Sequence, residues 1–223
     1  MPRHASAAML VFLLAGIPLP ARATGTPNLL PLGVVTQASH AHFNAAKVSA
    51  GATIYDGDGL STEAEGALQF RGSAAQLYLP GSSGVTLRGL PMGTQAQLQA
   101  GTVVFSAAKA AAMEIIADEA LIRPLADAPT VAEVTIVGPK ELQISARRGA
   151  LQFAYAGETE NITEGASYRI VLDPLEAVPP PSPQRGPVKA GRESKKFKII
   201  AILTIGWATE WGLHEIFESP DRP

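Results

Sequence analysis

The 223-residue chain contains no cysteine. That excludes a disulfide scaffold, thiolate-ligated zinc and a thiol nucleophile. Aromatic residues make up 6% of the chain, too few for a broad sugar-stacking platform on a β surface. The sequence has no G-x-S-x-G, no H-E-x-x-H and no phosphate-binding glycine loop, so the chemistries those motifs carry have no visible bearer. Nor is there an excess of basic residues. Residues 24–173 hold nine Lys/Arg against fourteen Asp/Glu, and residues 185–198 hold six against one. A mildly acidic body followed by a short basic stretch is not a nucleic-acid footprint, which would be basic over the folded face. No nucleic-acid partner is expected.

What the chain does have is turn chemistry. From residue 32 to residue 105, short apolar-alternating runs are cut repeatedly by Gly, Asp and Ser, the pattern of a domain built from many short strands. Runs are expected at 32–39, 45–50, 52–55, 67–70, 76–79 and 84–87, with Leu77 and Leu79 on one face and Gln76 and Tyr78 on the other. In Asp56-Gly57-Asp58-Gly59 the glycines tolerate positive φ and the carboxylates bond nearby backbone, which makes a tight turn. Beyond residue 105, Ser106 to Ala112 has helical propensity, whereas 113–117 and 120–125 read as a hairpin because Pro124 would interrupt a helix. Runs at 130–137, 141–146, 150–155, 160–163 and 166–172 complete the pattern, punctuated by Gly149, Gly157 and Gly165. Residues 33–173 are read as one β domain.

The run G-A-T-I-Y-D-G-D-G-L-S-T, then E-G-A-L-Q-F, Q-L-Y-L-P-G-S-S-G-V-T-L and a later L-Q-A-G-T-V-V-F resembles the FecR domain, a bacterial envelope β domain. Gly51, Ile54, Gly57, Asp58, Leu60 and Thr62 carry the most recognisable segment. Gly66, Leu68, Phe70, Leu77, Leu79 and Val85 match the strands that follow. Where the family usually has Asp-Gly-Ser after the equivalent of Phe70, this chain has Arg71-Gly72-Ser73. The resemblance covers about a third of the chain and implies a mainly β fold, a solenoid-like or jelly-roll-like stack of short strands. Its motifs are turn and core residues, so they speak to fold more than to activity. Regulatory members control a sigma factor through an N-terminal cytoplasmic segment. Here the apolar segment comes last, with only 218–223 beyond it, so direct anti-sigma activity is not expected.

The flanks suggest export and anchoring. Residues 1–23 have a positive start, an apolar stretch and Ala21-Arg22-Ala23, the pattern of a cleaved secretory signal. Six prolines between 174 and 187 mark a stiff spacer, which continues into the basic part of a linker, 174–196. Residues 197–217 are expected to form a C-terminal membrane helix. Ile199 to Thr209 lacks charge, Lys195, Lys196 and Lys198 stand at one end, and Trp207 and Trp211 suit the membrane interface. A surface-lying amphipathic helix is the alternative. The basic run would face anionic headgroups. The domain is therefore expected on the outer, periplasmic side of a bacterial membrane.

Three constellations bear on chemistry. His40 and His42 lack an evident third metal ligand. An Asp56- or Asp58-led calcium loop would need a carboxylate at Ala67 or Gln69. Glu63 with Glu65, and Glu158 with Glu160 and Glu164, read as solvated turn carboxylates rather than an acid–base pair. No catalytic residue, metal or cofactor is expected. The function read from the sequence is non-enzymatic recognition of an envelope protein or polymer, with signalling as one use of it and a cell-wall or glycan-binding module as the alternative.

Overall fold

The computed structural model describes residues 30–174 and 196–202. These residues are mainly β. In chain order the strands are β1 (Gly33–Phe43), β2 (Ala46–Lys47), β3 (Thr53–Ile54), β4 (Gly59–Gly72), β5 (Ala75–Leu79), β6 (Gly84–Leu90), β7 (Gly93–Ala100) and β8 (Thr102–Ala107). A 3-10 turn, Ala110–Ala112, leads into β9 (Met113–Ala117), β10 (Ala120–Pro124), β11 (Thr130–Gly138), β12 (Glu141–Arg148), β13 (Leu151–Tyr155), β14 (Glu158–Ile162), β15 (Ser167–Leu172) and β16 (Phe197–Ile202).

The architecture follows from β4, which is long enough to pair with strands of both halves of one sheet. Along one side it pairs with β1 from Leu60 to Gly72. Along the other it pairs with β6 over Gly59–Ser61 and with β5 over Leu68–Arg71. Between those stretches the 80–83 turn crosses it, with Thr62 N–H donating to Ser83 O and Ser82 N–H to Glu63 O, both at 2.9 Å. A side chain at Gly81 would overlap the Ala64 carbonyl, so glycine is what allows the turn to sit so close.

Two wings grow from this hinge. One runs β5-β8-β11-β12-β15-β16, the other β6-β7-β9-β10-β13-β14. The chain feeds them alternately, one strand or one hairpin at a time. Among the described residues every pair is antiparallel except β7 with β9, because the chain visits β8 in the first wing before returning. The result is one curled sheet, a half-barrel, with the expected 113–117/120–125 hairpin present as β9–β10. Ser106 to Ala112 is strand followed by the 3-10 turn rather than a helix.

Inward-facing positions alternate as pleated strands require. In β13, Leu151, Phe153 and Tyr155 are buried while Gln152 and Ala154 are half-exposed. Phe70, Leu77, Phe105, Ile115, Ile122, Ile144 and Phe153, drawn from both wings, join one core. Each such side chain contributes about 1.5–3 kcal/mol relative to leaving it in water.

The end of the chain differs from expectation. Residues 197–202, read as the start of a membrane helix, form β16, paired with β15 from Leu172↔Phe197 to Ser167↔Ile202. Phe-Lys-Ile-Ile-Ala-Ile is a short apolar run that fits either state. The free edge of β15 decides it, together with a buried seat for Phe197, whose ring meets Phe153 edge-on at 5.0 Å. No helix of the described residues is long and apolar enough to cross a membrane. The leader 1–23, most of the spacer and residues 203–217, including Trp207 and Trp211, lie outside the described residues, as does Lys195.

Candidate functional site

The motif residues read from the sequence all take positions that build the fold. Gly51 and Gly57 have φ of +90° and +85° with open space where a Cβ would stand, so backbone conformation is what calls for glycine. Asp58 Oδ2 accepts the Tyr55 N–H at 2.7 Å and its Oδ1 accepts from Asn44 Nδ2 at 3.1 Å. Asp56 Oδ1 accepts the Gly89 N–H at 2.7 Å. Asp58 thus bonds the backbone of its own turn, as expected, whereas Asp56 reaches Gly89 in β6 and ties the turn to the sheet instead of closing it. Ile54 and Leu60 are core residues. Thr62 donates to Pro80 O at 2.5 Å and accepts the Ser83 N–H at 3.0 Å, which ties β4 to the crossing turn. Gly66 lies against the His40 carbonyl, where a Cβ would not fit.

His40 and His42 do not form a ligand pair. His40 sits at a bulge with φ of +43°, and His42 Nε2 lies 3.5 Å from Glu63 Oε1. Among the described residues no three His, Asp or Glu converge as metal ligands.

The structure instead gathers residues that sequence reading missed. At one end of the half-barrel the β9–β10, β11–β12 and β13–β14 turns come together with the exit from β15. Asp118, Glu119, Lys140, Ala156 and Asp173 all have positive φ there. Lys140 Nζ lies 3.2 Å from Tyr155 Oη and 3.3 Å from Asp173 Oδ2. It also lies 4.0 Å from Glu119. Tyr155 donates its phenol proton to Asp173 Oδ2 at 2.6 Å.

The titration of the three groups follows from these bonds. The bond to Asp173 raises the Tyr155 phenol above its ordinary value. The bonds from Tyr155, then Lys140, lower Asp173. The bonds to Tyr155 and Asp173 raise Lys140. A phenol made harder to ionise is a poor base or nucleophile at neutral pH. The triad is a clasp: Asp173 N–H donates to Lys196 O at 2.8 Å and Lys196 N–H to Glu158 Oε2 at 3.2 Å. It pins the points where the proline-rich segment leaves the domain and rejoins it.

Beside the clasp lies a feature with room for a ligand. The wings end in β14 and β16, and neither has a further strand partner among the described residues. They meet at Phe153–Phe197 and Glu158–Lys196. Next to these contacts lies a cleft of about 810 Å³ lined by Glu160, Asn161, Tyr168, Phe197, Lys198 and Ile199, with Pro174 at its margin. Among the described residues, β14 and β16 are the last strands on either side of it. The inner face of β16 loses cover along its length: Phe197 is buried, Ile199 half-buried and Ala201 exposed. The cleft offers backbone pairing and an aromatic–aliphatic wall. Comparison of the sequence with protein-family models and with curated proteins finds no match in either.

Proposed function

We propose that this chain is a non-enzymatic, exported envelope protein of the FecR-like kind, whose β domain recognises an extended segment of another envelope protein. The observation that supports the reading is that β14 and β16, the terminal strands of the sheet among the described residues, flank one cleft with an aromatic–aliphatic wall. Strand addition uses such an edge: main-chain bonds supply affinity, and the wall supplies side-chain selection. Export rests on the leader-like residues 1–23, and the FecR likeness on the Gly51–Gly66 motif.

The membrane contact belongs to this proposal in altered form. A spanning helix needs about 17–25 residues, and with 197–202 in β16 only residues 203–213 remain before His214 and Glu215. Contact is therefore assigned to the basic stretch that ends in Lys195, Lys196 and Lys198, facing anionic headgroups.

A photo-crosslinking residue at Asn161, compared with one at Gln97 on the outer face of β7, tests the recognition reading in intact envelopes. A protein adduct at Asn161 and none at Gln97 is expected. Retention on purified cell wall without a protein adduct would favour the glycan-binding alternative.

A further inference from the structure

Carboxylates project from β14 toward the interior of the half-barrel. In the β13–β14 pairing Glu158 stands opposite Tyr155, Glu160 opposite Phe153 and Ile162 opposite Leu151. All three partners are buried core residues, and directly opposed residues share a face of the sheet. Glu158 is engaged at the closed end of the cleft, where it accepts the Lys196 N–H. Glu160, the next inward position along β14, is half-buried and lines the cleft itself. Around it the wall is apolar and aromatic. Phe197 is buried, and Tyr168 and Ile199 pack half-buried against the core. Lys198 alternates with Phe197 and Ile199 and is exposed, which puts it at the rim.

What such a wall recognises follows from desolvation. A carboxylate partly withdrawn from water is best matched by a cation. Lysine and arginine lay their apolar stems along hydrophobic surface while their heads keep a polar partner. An ammonium or guanidinium is also drawn to the face of a tyrosine ring. A carboxylate accepts from several donors at once, so an incoming head adds to the contacts Glu160 already has within the chain. A neutral sugar hydroxyl matches the wall less fully, because it brings no charge to the half-buried carboxylate. The excess of acidic over basic residues in 24–173 favours a partner of the same positive sign.

We propose that the cleft selects a lysine or arginine side chain of the bound segment, with its stem against Phe197 and Ile199 and its head between Glu160 and Tyr168. This selection rests on the recognition reading above, to which it adds the chemistry of the residue recognised.

Retention of N-acetylated, C-amidated heptapeptide pools on the immobilised full chain tests it. Each pool fixes its central residue as arginine, lysine, glutamine or glutamate and randomises the rest. The arginine and lysine pools should be retained several-fold more than the glutamine and glutamate pools, and the margin should shrink on adding salt. Glu160→Gln should remove the margin over the glutamine pool while basal retention remains. Glu65→Gln, on the exposed first half of β4, should leave it unchanged. Lys198→Glu, an exposed change at the rim, should widen it, since an attracting charge replaces a repelling one.

Equal retention of all pools, or a preference for arginine and lysine that survives Glu160→Gln, overturns the selection. So does no retention of any pool. If Glu160→Gln does not fold, a margin that ignores both Lys198→Glu and salt overturns it instead. The Asn161 adduct in intact envelopes separates this failure from that of the wider reading: with the adduct, recognition of an envelope protein stands without the basic preference, and without it both fall.

Discussion

At the scale of single residues, the fold depends on close approaches that a methyl group would spoil. Gly66 packs against the His40 carbonyl at the β1 bulge. Gly66→Ala should lower stability by on the order of 2 kcal/mol through overpacking, measured as a shifted urea midpoint with an unchanged slope. The clasp makes a different prediction. Asp173 is lowered, so its share of stability is present above the unfolded Asp value and lost as pH falls through the lower, folded one. Tyr155 and Lys140 are raised, so theirs is present below their unfolded values and lost as pH rises through the folded ones. The stability difference between the native chain and Tyr155→Phe should be level from about pH 5 to 9 and shrink beyond both limits. A difference that ignores pH would reduce Tyr155 to a packing residue.

At the scale of elements, β16 is the test case. Phe197 is 3% exposed and packs edge-on against Phe153. Phe197→Ala should cost about 3 kcal/mol, seen in the thermal unfolding of the β domain. An unchanged transition would mean that the strand does not belong to the domain. What could be read from sequence was what is decided locally. The Gly51–Leu60 turn was legible because Gly51 and Gly57 act through their own backbone and Asp58 bonds the Tyr55 N–H three residues away. Its tie to Asn44, which accepts the Gly59 N–H at 2.8 Å, was not, because that partner lies fifteen residues away. β7 (Gly93–Ala100) passed unnoticed because Gln and Ala give weak strand signals; pairing with β6 and β9 makes it a strand. The first half of β4 was hidden behind Glu63 and Glu65, which are exposed in it. The clasp joins residues 140, 155 and 173 only through the curl of the sheet, and no local pattern announces such a meeting.

At the scale of the whole molecule, both wings share one core, so neither has an interior of its own. Unfolding should therefore be a single transition, with near-ultraviolet and far-ultraviolet dichroism coincident in urea. Two separated transitions would show that the wings are independent. Refolding should be slow, milliseconds to seconds, as in other sheets built from distant pairings.

The alternate feeding of the wings has one more consequence. Each strand after β1 finds at least one of its ladder partners among those already made, never only among those still to come. A chain emerging N-terminus first, from a ribosome or a translocation pore, can thus lay every new segment on a finished template. The growing rims travel outward as it lengthens, and β16 is the last described strand to be laid down.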